Sequence, residues 1–183
     1  ALHGYSISNE MWTNEIKTPQ TIEGAFANGA KDMIVVLPNS RTVHNGSMYS
    51  NSATTGNFEG FIAHDLVAYI DAHYRTIPNR TSRGLAGHSM GGYGTTRIGM
   101  KYPEVFGALY IMSPCCMSAR GAPPAEALKA IEAVKSLDEA SKLGWGERAT
   151  LASAAAWSPN PKNPPLYLDL PVKDGQPQPD VIA

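Results

Sequence analysis

Gly87-His88-Ser89-Met90-Gly91 carries the strongest chemical signal in this 183-residue chain. The run fits G-x-S-x-G, and Gly92 extends it. A serine flanked in this way can sit on a sharp turn from a strand into a helix, with its oxygen clear of the backbone and able to attack a carbonyl carbon. Glycines are needed on both sides because bulkier side chains would collide with neighbouring elements at such a turn. The following helix aims its N-terminal partial positive charge at the same place. The Met90 N–H then becomes one donor to the oxyanion that forms on attack. The chemistry expected is acyl transfer, with Ser89 as the nucleophile.

A second donor is expected from Leu2-His3-Gly4-Tyr5-Ser6. A loop after an early strand can offer a backbone N–H next to a glycine, and Tyr5 suits that role. Met11, Trp12, Met48, Tyr49, Met90, Tyr93 and Met117 could line an apolar acyl or aryl pocket. Each of these types is individually more common in a core, and only their places in loops after strands favour a pocket. Among candidate substrate contacts, Trp12, Tyr49 and Tyr93 stand out with His88, the neighbour of the nucleophile.

The elements that must position these residues follow from local pattern. Residues 83–86 read as a short strand feeding the turn, and residues 92–101 as a helix ending before Pro103. Residues 33–37 form a β-rich run closed by Pro38, suited to a buried strand of a parallel sheet. Residues 106–112 read as another strand, ending at Ser113-Pro114. Between them, Ile62, Leu66, Tyr69, Ile70 and His73 recur at helical spacing over residues 61–73, so one face is expected to pack on the sheet. Thr18-Pro19 opens a short helix and Gly29 sits where it would stop. This order argues for the α/β class, with a doubly wound, mostly parallel sheet.

Beyond Ser113 the character changes. Pro123-Pro124 introduce an alanine-rich stretch to Leu143, and Gly144-Trp145-Gly146 breaks it. Residues 147–157 look helical, 160–165 and 176–180 are proline-rich, and 166–170 could be a strand. The expectation is one domain over residues 1–183, with 118–183 a helical and proline-rich insertion over the sheet's upper edge.

Composition narrows the function classes. With 43% hydrophobic and 17% charged residues, this is an ordinary globular composition. A net charge of -1 without like-charge blocks gives no footprint of a nucleic-acid binder. No apolar run approaches the ~20 residues that a membrane span needs. Cys115 and Cys116 are adjacent, and neighbouring cysteines rarely bond because the bridge strains disulfide geometry. No further ligands lie at metal-binding spacing, so neither a metal nor another cofactor is expected. The partner implied is a small-molecule ester.

Leu2-His3-Gly4-Tyr5, Leu37-Pro38-Asn39 and Arg83-Gly84-Leu85-Ala86-Gly87-His88-Ser89-Met90-Gly91-Gly92-Tyr93 together resemble the putative-esterase family. Tyr102-Pro103-Glu104-Val105-Phe106 and Ser113-Pro114 extend the likeness, which is good over residues 1–117 and weak beyond. That family includes S-formylglutathione hydrolases, feruloyl esterases and mycolyltransferases. The resemblance implies an α/β-hydrolase fold and serine-dependent hydrolysis of carboxylic esters through an acyl-enzyme. Acyl transfer to a sugar or alcohol, or non-catalytic binding on the same fold, are the competing readings.

Such enzymes place serine, acid and histidine in that chain order. The histidines here are His3, His44, His64, His73 and His88, and none follows Ser89. His88 adjoins the nucleophile and points away. His64 and His73 belong to a helix and read as structural, and His44 reads as a loop histidine that could touch substrate. Asp169 and Asp174 follow Ser89 at tolerable distance but read better as parts of the insertion. The resemblance therefore implies a chain truncated at both ends, with the triad acid and histidine absent from residues 1–183. A permuted or degenerate fold is the alternative. On the truncation reading, this length of chain alone is expected to be nearly inactive.

Overall fold

Ser8 accepts a 3.3 Å hydrogen bond from the Met11 N–H and so opens α1, Asn9–Asn14. α2, Thr18–Ala27, takes Pro19 in its first turn and stops before Gly29, where φ is +91°. The computed structural model describes residues 1–117 and 123–182. Residues 118–122, where the expected insertion begins, and Ala183 lie outside the described residues.

A small antiparallel pair, β1 (Asn51–Ser52) and β2 (Gly56–Asn57), leads into α3 (Phe58–Gly60), a π-helical turn (Phe61–Asp65) and α4 (Leu66–His73). The helix expected over 61–73 thus forms, though with a π-helical first turn. Ile62 is buried, and Leu66 and Ile70 are half-buried. Tyr69 and His73 are exceptions to the expected inner face. Both are exposed and stack on each other with ring centroids 4.2 Å apart.

β3 (Gly84–His88), α5 (Met90–Lys101) and β4 (Ala108–Met112) follow, and the two strands pair in parallel from Gly84↔Ala108 to His88↔Met112. On the other edge of β3, Leu2 makes a parallel bridge to Gly87; its N–H donates to the Ala86 carbonyl at 2.7 Å. Beyond it, the Ala1 amine donates to the Val36 carbonyl at 2.8 Å. The spatial order is therefore 33–37, 1–2, β3, β4.

Residues 33–37 depart from the buried strand expected of them. They form no ladder, and Met33 is 59% and Ile34 48% exposed. A strand needs a partner for its N–H and C=O groups, and among the described residues this backbone finds only the Ala1 amine. A groove of about 1380 Å³ opens beside it, lined by Val35, Leu66, Ile70, Leu85, Phe106 and Tyr110 among others. Ser89 is not part of that groove, which is a gap beside unpaired strand backbone.

α5 is held by packing, not by propensity. Gly91, Gly92, Gly94 and Gly99 lie inside it, and each costs about 1 kcal/mol relative to alanine in a helix. They allow neighbours to approach: a Cβ on Gly94 would lie 2.5 Å from the Tyr49 ring. The buried Glu59 carboxylate ties α3 to the far end of α5, accepting from Arg97 Nε at 2.7 Å and Lys101 Nζ at 2.6 Å. Burial alone would raise the Glu59 pKa, but the bonds from Lys101 and Arg97 outweigh it and hold it below the usual value. Its stabilising effect is present above the unfolded carboxylate pKa and is lost as pH falls through the lower folded value. Glu59→Ala is expected to cost about 2–3 kcal/mol in urea denaturation at pH 7. That lies near the low end for breaking a buried pair because both cations reach water. The loss should shrink in melts at pH 3.

The rest of the described chain is mainly helical: α6 (Ala125–Glu132), α7 (Leu137–Ser141), α8 (Trp145–Trp157) and α9 (Pro179–Ile182), with the hairpin β5 (Val172–Lys173) and β6 (Gln176–Pro177). α8 serves two cores. Ala152 and Ala156 join Leu2, Tyr49, Ile62, Met90 and Ile98, whereas Leu151, Ala154 and Ala155 pack with Ile131, Ala140 and Leu168. Residues 166–170 are not a strand; they make one isolated antiparallel bridge, Pro159↔Leu168. Among the described residues, no helix is long and apolar enough to cross a membrane.

Candidate active site

Ser89 stands alone between the last residue of β3 and the first of α5, with φ 57° and ψ −115°. That backbone is strained for a residue with a side chain and persists only where the surroundings over-determine it. Here they do. The Ser89 N–H donates to the Met112 carbonyl at 3.0 Å, and the Ser89 carbonyl accepts from the Tyr93 and Cys115 N–H groups at 3.0 and 3.1 Å. The elbow is thus fastened both to the end of β4 and to the loop after it. Close approach explains the flanking glycines. A Cβ on Gly87 would run into the Gly91 carbonyl, and one on Gly91 into the Leu2 carbonyl.

The Leu2 bridge carries the N-terminal segment past the elbow. A Cβ on Gly4 would lie 3.6 Å from the Ser89 Cβ, so Gly4 packs directly on the serine and Tyr5 follows beside it. Among the described residues, neither the Tyr5 nor the Met90 N–H donates to any acceptor. Both residues are buried, and an unpaired buried N–H is costly unless a ligand or water satisfies it.

Loop 39–49 clamps this segment from behind. His3 is wholly buried; its Nε2 accepts from the Ser40 N–H at 2.9 Å and its Nδ1 lies 2.9 Å from the Gly4 carbonyl. Tyr49 donates to the His3 carbonyl at 3.1 Å, and Tyr5 to the His44 carbonyl at 2.9 Å. Burial pushes the Tyr5 hydroxyl up to about 12.

Tyr49 cannot be the substrate contact expected of it, because its 0% exposed ring lies against α5 and its hydroxyl is spent on His3. Trp12 is half-buried, with its ring edge-on to His3 at 6.4 Å. Tyr93 is half-buried on α5 between Arg97 and Trp157, and His88 is exposed. His44 lies deeper than a loop histidine open to substrate would: it is 3% exposed. His64 sits edge-on to Tyr102 at 5.0 Å, and the His73 Nδ1 lies 2.7 Å from the Tyr69 carbonyl. Among the described residues, no histidine is hydrogen-bonded to the Ser89 hydroxyl. Asp169 accepts from Asn160 and Asn163 at 2.8 and 2.9 Å, and Asp174 lies exposed in the β5–β6 turn.

Burial lowers the pKa of both His3 and His44 from the ordinary ~6.5, so folding favours the neutral ring in each. The stability they confer is present above the unfolded value and is lost as pH falls through the folded one. Thermal melts should therefore drop in midpoint from pH 7.5 to pH 5. His3→Gln, whose amide oxygen can still accept from Ser40, should flatten part of that slope.

A family model described as Putative esterase matches residues 1–174. The chain belongs to the Putative esterase family. Its relatives include an endo-1,4-beta-xylanase/feruloyl esterase of Xylanibacter ruminicola, 29% identical over 112 residues, which covers 61% of this chain and 15% of that protein. An esterase of Mycobacterium tuberculosis is 36% identical over 76 residues, covering 39% of this chain and 16% of its own length. Among solved structures, a ferulic acid esterase superposes with a TM-score of 0.54 at 32% identity, covering 62% of this chain and 45% of that one. The Staphylococcus aureus fluorophosphonate-binding serine hydrolase F gives 0.51 at 24% identity over 79% of this chain and 45% of its own, a likeness of fold alone. This Putative esterase chain thus has an α/β-hydrolase-like fold and spans less than half of each of these proteins.

Trp145 stands out only once this family member is folded. At the start of α8 its indole N–H donates to the Ser6 hydroxyl at 3.4 Å and its ring meets Tyr5 edge-on at 5.4 Å. That puts a 65% exposed tryptophan beside the segment expected to supply an oxyanion donor. The signal available was Gly144-Trp145-Gly146, which reads more simply as a helix break.

Proposed function

We propose that this protein hydrolyses carboxylic esters through an acyl-enzyme on Ser89. The Ser89 oxygen attacks the ester carbonyl, and the Tyr5 and Met90 N–H groups receive the oxyanion. The tetrahedral species then expels the alcohol, and water releases the acid from the serine. The observation that carries the reading is the strained Ser89 backbone at the β3–α5 junction, with Gly4 packed on its side chain and two N–H groups beside it that find no acceptor among the described residues. Among the described residues His3, His64 and His73 are engaged elsewhere, His44 is buried and His88 is exposed, and none is bonded to Ser89, so the general base and its acid come from outside residues 1–183 on this reading. Trp12, His88, Tyr93 and Trp145 are the side chains proposed to meet substrate. The spatial order 33–37, 1–2, β3, β4 supports a doubly wound sheet. In that sheet Tyr5 and Ser89 fall outside the carboxyl ends of neighbouring strands, where such sheets bind ligands.

The test is covalent labelling of the full-length protein with a fluorophosphonate probe, followed by peptide mapping. The adduct should sit on Ser89. Labelling at another serine, or none while the protein is folded, would remove the proposal.

A further inference from the structure

The loop after β4 brings the Sγ atoms of Cys115 and Cys116 to 2.6 Å from each other. A disulfide bond is about 2.05 Å long, so the two side chains face each other near bonding distance. The backbone is already bent for it, with Ser113 at φ 41° and Cys116 at φ 62°. Both residues are half-buried and pack against the core that includes Met90. We infer that Cys115 and Cys116 form a site of reversible disulfide formation, an eight-membered ring in the loop that holds the nucleophile turn.

The reaction is thiol–disulfide exchange with a low-molecular-weight disulfide. One cysteine, as thiolate, attacks a sulfur of the small disulfide, forming a mixed disulfide and releasing a small thiolate. The second cysteine then attacks its neighbour's sulfur, closing the ring and releasing the other small thiolate. Two electrons pass from the protein thiols to the small disulfide, whose two released thiolates take up the protons. Because the second step is intramolecular between adjacent residues, the mixed disulfide should not persist. Adjacent Cα atoms are about 3.8 Å apart, short of the roughly 4.4–6.8 Å that disulfides prefer, so the ring is strained. Strained disulfides belong to the labile group that low-molecular-weight thiols reduce, not to the inert structural one.

Its position gives the ring a consequence. The Cys115 N–H donates to the Ser89 carbonyl at 3.1 Å, and Pro114 crosses α5 where a Cβ on Gly92 would lie 3.0 Å from its Cα. Closing or opening the ring therefore acts on the backbone that braces Ser89.

The experiment is exchange of pre-reduced full-length protein with glutathione disulfide, acid quenching, alkylation and trypsin. Cleavage after Lys101 and Arg120 puts both cysteines on one peptide, 102–120. It should be recovered unalkylated, about 2 Da lighter than the reduced form and without glutathione, and dithiothreitol should restore it. Cys115→Ser and Cys116→Ser should each trap a stable glutathione adduct on the remaining cysteine. Doubly alkylated wild-type peptide, a stable glutathione adduct on the wild-type pair, or a cross-link between two chains would overturn the inference.

Discussion

Ser89→Ala in the full-length protein is expected to lower kcat/KM for a nitrophenyl ester by at least about 10³-fold, leaving only what oxyanion donors and binding supply without a nucleophile. Fluorophosphonate labelling should vanish with it. Folding should not suffer, because the Ser89 side chain caps nothing and its backbone bonds to Met112, Tyr93 and Cys115 remain. Ser89→Gly sharpens the test. Glycine is at ease at φ 57°, so relief of strain, less glycine's greater loss of chain entropy, should raise stability by about 1 kcal/mol while activity disappears as completely. An active Ser89→Gly variant would remove the serine from the chemistry. One melting below the wild type would mean that the turn stores no strain.

Gly91→Ala should be severely damaging for so small a substitution. Its Cβ would drive into the Leu2 carbonyl and lie 2.9 Å from the His3 carbonyl oxygen. These are backbone atoms, so the segment that carries Gly4 and Tyr5 must move off β3 or α5 must shift. The helix-propensity gain of about 1 kcal/mol is small beside that overpacking, and a net loss above about 3 kcal/mol is expected. Urea denaturation measures it, with Gly24→Ala as the control. Gly24 lies inside α2 with nothing within 4 Å of a Cβ, so the same exchange should stabilise by about 0.5–1 kcal/mol. If Gly91→Ala proved as harmless as Gly24→Ala, the close packing of the N-terminal segment on the elbow would be wrong.

The elbow was legible in the sequence because its requirements are local. Glycines at 87 and 91, a short apolar run before them and a helical pattern after them fit one kind of turn, and Ser89 falls where that turn puts it. The helix start at Thr18-Pro19 is likewise written locally, in a proline that has no N–H to satisfy in the first turn. Residues 33–37 show the limit. Their composition favours a strand, but a strand exists through its partner, and only the tertiary structure reveals that this backbone finds the Ala1 amine and little else. Tyr49 and His44 looked like pocket or loop residues because the sequence does not say which side of a loop faces inward; their burial depends on how loop 39–49 folds over Gly4 and α5. Trp145 reaches Ser6, and Glu59 reaches Arg97 and Lys101, across long stretches of chain that no short window spans. Adjacent cysteines came with a valid steric argument against pairing. The short distance between their sulfurs comes with a positive φ at Cys116, in a loop whose Cys115 N–H is tied to Ser89, and the two residues do not encode that backbone state by themselves.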